Sequence, residues 1–322
     1  MRAVLQESDS KKLYIGETEE PARSMGELLV RIHATALNRA DLLQKRGLYP
    51  PPPGTTDILG LEMAGVVEEG SGGWKPGDRV MALLPGGGYA ERVRIPAEMA
   101  MPIPDGLSFE EAAAIPEAFL TAYLNLFQIG NLQAGETVLI HAGASGVGTA
   151  AIQLAKRAGA LVIATAGTAE KRNVCSELGA DAVIDYKAGP FAPAVREASQ
   201  GRGVNLILDF VGAPYWEQNI ASLAIDGKLV LVGILGGSKA EKVDLGLLLS
   251  RRLHVIGTTL RSQPVGNKIR LTRSFAEHAV PGFRDGSLKP VIDSVWDWSE
   301  VEEAHSRMEH NRNIGKIVLR VT

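Results

Sequence analysis

One short segment constrains this chain more than any other. The apolar, β-branched run Thr137–Ala142 (TVLIHA) enters Gly143-Ala144-Ser145-Gly146-Val147-Gly148, which passes at once into the helically spaced TAAIQLAKRAG. A strand that turns through glycines into a helix offers free backbone N–H groups and the positive end of a helix dipole to an anion. The spacing is GxxGxG and not the standard GxGxxG. Set inside a βαβ unit of about 30 residues, it predicts a dinucleotide-binding turn in which Ser145, Gly146, Val147 and Gly148 cradle a pyrophosphate.

The surrounding rhythm agrees. After Gly135, the apolar runs Thr137–Ala142, Leu161–Ala166, Asp181–Ile184, Asn205–Phe210, Lys228–Val232 and His254–Leu260 read as strands, with helical spacing in Val147–Ala158, Ala169–Leu178 and Pro193–Ser199. Strands apolar on both faces and separated by helices predict a six-stranded parallel sheet, with Val232, Gly233 and Leu235 on a ligand-facing loop. From Met1 to about Pro104 the chain instead shows short strands and turns, among them Glu27–Ala34, Ala64–Glu69, Asp78–Leu83 and Tyr89–Ile95, which predict a β-rich, barrel-like domain. Near the end, Ser299-Glu300-Val301-Glu302 predicts a capped helix to His310 and a final strand at Gly315–Val321, expected to rejoin the first domain. The fold class expected is α/β, a β-rich domain with a doubly wound parallel sheet.

Length and charge narrow the functions. At about 150 residues per domain, 322 residues suggest two domains, and a net charge of −3 gives no support to general nucleic-acid binding. The most apolar stretch, Ala112–Ile129, is interrupted by Pro116 and Glu117, so no membrane span is expected. The start of the chain lacks a secretory pattern, and a cytoplasmic location is expected. The only cysteine, Cys175, excludes an intrachain disulfide and a thiolate-rich structural zinc site, and is itself expected to be buried and inert. Histidines 33, 141, 254, 278, 305 and 310 show no ligand spacing, and His305 and His310 are expected to be solvated.

The second strand speaks to the nucleotide. NAD sites place an acid about 20 residues past the glycines, whereas here stand Thr165-Ala166-Gly167-Thr168, followed by Lys171 and Arg172. Cations without an acid favour a 2′-phosphate, so NADPH is the expected cofactor, with Gly167, Thr168 and Lys171 at its adenosine end.

Asn38-Arg39-Ala40-Asp41, Gly47-Leu48-Tyr49-Pro50, Gly60-Leu61-Glu62, Gly77-Asp78-Arg79-Val80, the loop His141–Gly148 and Asn313-Ile314-Gly315-Lys316 together resemble the zinc-free quinone oxidoreductases of the medium-chain dehydrogenase/reductase superfamily. The nearest branch is the p53-inducible one, with zeta-crystallins more distant. The resemblance implies a GroES-like catalytic domain (1–120), an inserted Rossmann NADP-binding domain (121–262), a return segment (263–322), a cleft between the domains and a homodimer. It places Tyr49, Asn38 and Thr121 near substrate or nicotinamide, Tyr186 beside the adenosine phosphate, and Leu260 and Arg261 on the nicotinamide side. Glu62 is expected to be a core carboxylate without a catalytic role. Zinc-dependent relatives hold a metal-binding Cys and His where Asn38 and Leu61 stand here, so no zinc is expected. Without a Lewis acid, the expected substrate is a quinone or enone, whose own π system spreads the incoming charge. Reduction of 2-alkenals or enoyl thioesters, and a non-catalytic zeta-crystallin-like role, stay open as alternatives.

Overall fold

The computed structural model describes residues 1–22 and 24–321. The chain forms two compact units, Met1–Leu120 with Leu260–Thr322, and Thr121–Thr259. The chain re-enters the first unit at Leu260, so Leu260, Arg261 and Ser262 belong there and not with the nucleotide-binding segment expected to run to residue 262.

The first unit opens with the antiparallel pair β1 (Arg2–Gln6) and β2 (Leu13–Glu17). It continues through β3 (Glu27–Ala36), α1 (Arg39–Lys45), β4 (Glu62–Glu69), β5 (Arg79–Leu83), β6 (Arg92–Pro96), β7 (Ala100–Pro102), α2 (Phe109–Ala113) and α3 (Pro116–Tyr123). Along β3, Leu28, Val30, Ile32 and Ala34 are fully buried while Arg31 is exposed, the period-two signature of a strand with one face on the core.

The second unit contains β8 (Thr137–Ile140), α4 (Gly146–Arg157), β9 (Leu161–Ala166), α5 (Ala169–Glu177), β10 (Ala182–Asp185), α6 (Phe191–Ala198), β11 (Val204–Asp209), α7 (Trp216–Ser222), β12 (Leu223–Leu231), α8 (Leu245–Ser250) and β13 (His254–Gly257). All pairings are parallel, in the order β10-β9-β8-β11-β12-β13. Numbered within the unit this is 3-2-1-4-5-6, the doubly wound order, whose direction reverses between β8 and β11. In sheets of this order, ligands bind at the carboxyl ends of the two strands that flank the reversal.

The return segment supplies α9 (Val265–His278), α10 (Val280–Arg284), β14 (Ile292–Asp297), α11 (Val301–Glu309) and β15 (Lys316–Arg320). The last strand lies antiparallel to β3, with Val318 opposite Ala36, completing a seven-stranded sheet of order β14-β15-β3-β4-β5-β7, with β6 also on β3. Two local expectations are corrected. The capping box is Asp297 with Glu300, two residues early, because buried Trp298 draws a short 3-10 turn into the core ahead of α11. His305 is buried, not solvated, since it shares the inward face of α11 with Val301, Ala304 and Met308.

No helix among the described residues is long and apolar enough to cross a membrane. Phe119 of α3 packs edge-on to Phe283 of α10 at 4.9 Å between ring centroids, and Phe275 of α9 lies 6.4 Å from Phe119. Removing the central ring should leave a cavity that two helices cannot close: Phe119→Ala is expected to cost about 3–5 kcal/mol, read as a lower urea midpoint with an unchanged slope.

Candidate active site

At the β8–α4 turn Ala142 adopts a left-handed φ of 49°, and the Ser145 hydroxyl caps the helix by accepting the Gly148 N–H at 3.0 Å. A Cβ on Gly148 would lie 2.3 Å from the Ala142 carbonyl oxygen, so only glycine lets the helix start this close to the loop. The open N–H groups of this turn are what a pyrophosphate requires.

A buried polar chain underlies the turn. Asp209 accepts the N–H groups of Val211 (2.7 Å) and Gly212 (3.2 Å) and the Asn219 amide (3.0 Å). The Asn219 oxygen therefore accepts from His141 Nε2 at 2.7 Å, leaving His141 Nδ1 to accept the Thr165 hydroxyl at 3.0 Å. Burial lowers the His141 pKa to about 4, as this neutral tautomer needs. The chain thus ties together the carboxyl ends of β9, β8 and β11. Beyond β12, the N–H groups of Val232 and Gly233 donate to the Asp209 carbonyl, and that of Leu235 donates to the Phe210 carbonyl, which aligns this loop beside the one after β11.

After β9 comes Gly167, where a Cβ would meet the Tyr186 hydroxyl at 2.6 Å and the Lys187 side chain at 2.9 Å. Gly167 and Tyr186 lie together at this corner, and Lys187 joins them. Thr168 caps α5 by accepting the Lys171 N–H at 3.2 Å. Arg172, expected as a second phosphate cation, instead pairs with Asp185 at 2.5 Å. Cys175 is buried beneath the glycine turn, and burial pushes its thiol up to about 11. Thr121 is also buried in this unit, its carbonyl accepting the Asn125 amide.

In the first unit the side chain of Asn38 does not cap α1. It donates to Glu62 Oε1 at 2.8 Å and accepts from Lys316 Nζ at 2.7 Å, while the cap is closed by the Asp41 carboxylate accepting the Asn38 N–H. Lys316 Nζ also reaches Glu62 Oε1 at 2.6 Å and the Leu37 carbonyl at 2.8 Å. The remaining Glu62 oxygen accepts the Glu117 N–H at 2.8 Å. Asp41 accepts from Gly60 and Tyr89, and the Tyr89 hydroxyl lies 3.1 Å from His305 Nε2. Burial raises Asp41 to about 6 and lowers His305 to about 3.

Tyr49 lies under the Arg261 guanidinium, 5.3 Å from Cζ to the ring centroid. Arg261 donates to Pro85 O and to Gln44 Oε1, both at 2.8 Å, so it ties the Pro85 loop to helix α1 within its own unit. Leu260 is buried beside it in sequence. Burial, and next the charge of Glu117, raise the Tyr49 pKa and keep the phenol neutral.

The sequence family of the alcohol dehydrogenase GroES-like domain matches residues 24–105, and that of zinc-binding dehydrogenases matches 146–274. The mouse synaptic vesicle membrane protein VAT-1 homolog is 32% identical over 327 residues, covering 97% of this chain and 80% of that protein. The chain belongs to the medium-chain dehydrogenase/reductase superfamily. Among solved superfamily structures, the quinone oxidoreductase of Pseudomonas syringae pv. Tomato aligns over 100% of both chains with a TM-score of 0.88 and 31% identity. That of Thermus thermophilus, solved alone and with NADPH, aligns over 100% of both with a TM-score of 0.84 and 34% identity.

One matching family is described as zinc-binding, but the donors here do not fit zinc. The space between Asn38 and Glu62 is filled by the Lys316 ammonium, and among the described residues no group of three or more His, Cys, Asp and Glu side chains could hold a metal ion. Sequence reasoning had no role for Lys316, for Glu117 or for the His141 chain. The only signal for Glu117 was a carboxylate inside an otherwise apolar run. Replacing Lys316 by Met should strand the buried Glu62 carboxylate at a cost of about 3–5 kcal/mol. Adding Glu62→Gln should recover much of that loss in urea unfolding.

Proposed function

We propose that this member of the superfamily is a zinc-independent NADPH:quinone oxidoreductase. The observation carrying the proposal is the end of β9. There Gly167 stands in place of a ribose-binding acid, with the Tyr186 hydroxyl packed over it, the Lys187 side chain alongside and Lys171 on the first turn of the next helix. Such a corner repels nothing from a 2′-phosphate and offers it a hydroxyl and cations. The NADPH-bound Thermus thermophilus quinone oxidoreductase, 34% identical, supports the same choice.

Bound NADPH supplies a hydride from its dihydronicotinamide ring. In this proposal the Ser145–Gly148 turn holds the pyrophosphate, and Gly167, Thr168, Lys171 and Tyr186 hold the adenosine phosphate. Val232, Gly233, Leu235 and Thr121 line the rest of the cofactor. Asn38 is held by Glu62 and Lys316, and Leu260 and Arg261, beside the Tyr49 loop, close the nicotinamide side. Tyr49, kept neutral, donates a hydrogen bond to the acceptor oxygen. A conjugated acceptor suits a site with no fitting Lewis acid, because charge spreads over its own π system.

Steady-state rates of NADPH and NADH oxidation with ortho- and para-quinones, a 2-alkenal and crotonyl thioester test this reading. Quinones with NADPH should be turned over fastest, and Lys171→Glu should raise the NADPH KM about tenfold or more, roughly 1.4 kcal/mol, with little change for NADH. Equal use of NADH by the wild type, or turnover of the thioester alone, contradicts it.

We also propose that the protein is a homodimer joined at β13. Among the described residues this strand pairs only with β12, and Val255 on it is exposed. An unpaired edge is a template for a second copy. Val255→Lys should shift sedimentation from dimer to monomer.

A further inference from the structure

The first unit contains two polar groups that its own protein leaves unused. Among the described residues, no donor reaches the Glu117 carboxyl, although its backbone N–H donates to Glu62, and the Tyr49 hydroxyl likewise has no partner. Nearby polar groups are spent. Glu62 is taken by Lys316 and Asn38, Arg261 by Pro85 and Gln44, and Lys268 of α9 by the Arg261 carbonyl at 3.2 Å. Glu117 is half-buried as a residue, at the start of α3. Tyr49, Arg261 and Lys268 are all within electrostatic reach of it.

Resting on the reductase reading above, we propose that Glu117 is the general acid that protonates the acceptor, with Tyr49 holding the acceptor oxygen. The balance is simple. The dihydronicotinamide donates a hydride, two electrons and one proton, and the acceptor oxygen that becomes anionic takes a second proton as the Glu117 O–H breaks. A quinone then leaves as a hydroquinone, and the Glu117 carboxylate regains its proton from water.

The surroundings keep Glu117 in the acid form at neutral pH. Burial is the largest cause, followed by the Glu62 carboxylate of β4. Asp41 of α1 pushes the same way, while Lys316 of β15 and Arg261 push back, and Lys268 faces it from α9. The result is a carboxyl pushed up to about 8, in the range suited to a proton donor. The sign follows directly: the acid is present below that pH and is lost as pH rises through it.

Two measurements test the assignment. In the protein without cofactor, the infrared carbonyl band of a protonated carboxyl should disappear with a midpoint near pH 8 and be missing from Glu117→Gln. In turnover with whichever acceptor the wild type reduces, kcat should fall above that pH. Glu117→Gln should lower kcat about 100-fold and abolish the alkaline limb, with the NADPH KM within about twofold, while Glu117→Asp keeps a limb. Circular dichroism and NADPH binding confirm that the variants are folded. A Glu117 already ionised at neutral pH, or a Gln variant with wild-type kcat and the same limb, overturns this inference alone. A wild type inert toward every acceptor overturns the reductase reading with it.

Discussion

The Lys316–Glu62 pair is the contact on which the first unit depends. A bare ammonium or carboxylate in a protein interior costs several kcal/mol, and both of these side chains are almost wholly out of water. Each is tolerated because the other is there, and because Leu37 O, Asn38 and the Glu117 N–H take up the remaining hydrogen-bonding capacity. The ends of β3, β4, α3 and β15 are thereby drawn to one point. The position of Glu117, and the carboxylate pressing on it, are consequences of that arrangement.

The second unit is organised on a different principle. Its inner strands β8, β9 and β11 are buried on both faces, so polar groups collect where these strands end. At the reversal between β8 and β11, the Thr165–His141–Asn219–Asp209 chain uses one neutral imidazole to join three strand termini and to fix the backbone of the next loop. Rings of Phe191 and Tyr215 flank that imidazole at 4.8 Å and shield it from water. A rigid floor of this kind lets the glycine turn above it present N–H groups with little reorganisation.

Much of this was legible in the residues. The turn-punctuated short strands of the first half and the continuous apolar runs of β8, β9 and β11 declared the two kinds of sheet, because backbone geometry links those patterns directly to which faces are covered. The glycine turn and the missing acid at Gly167 were legible for the same reason: both are local. What failed was long-range or ambiguous. Lys316 and Glu62 are 254 residues apart, and no spacing rule joins them. Arg172 looked available until its partner Asp185 appeared one strand away. His305 sat among charged neighbours in sequence, yet the helix turned it inward with Val301 and Met308. In D-W-S-E-V-E two cap residues compete, and buried Trp298 decided between them.

That separation also has a consequence in time. Chains are synthesised at about 5–20 residues per second, so the 254 residues between Glu62 and Lys316 represent roughly 13–50 s. Throughout that interval Glu62 has no ammonium to meet, and β3 lacks its neighbour β15. The Thr121–Thr259 unit, by contrast, is complete as soon as its own contiguous sequence has emerged. The half of the protein that begins first must therefore finish last, waiting hydrated on the ribosome while the inserted unit closes ahead of it.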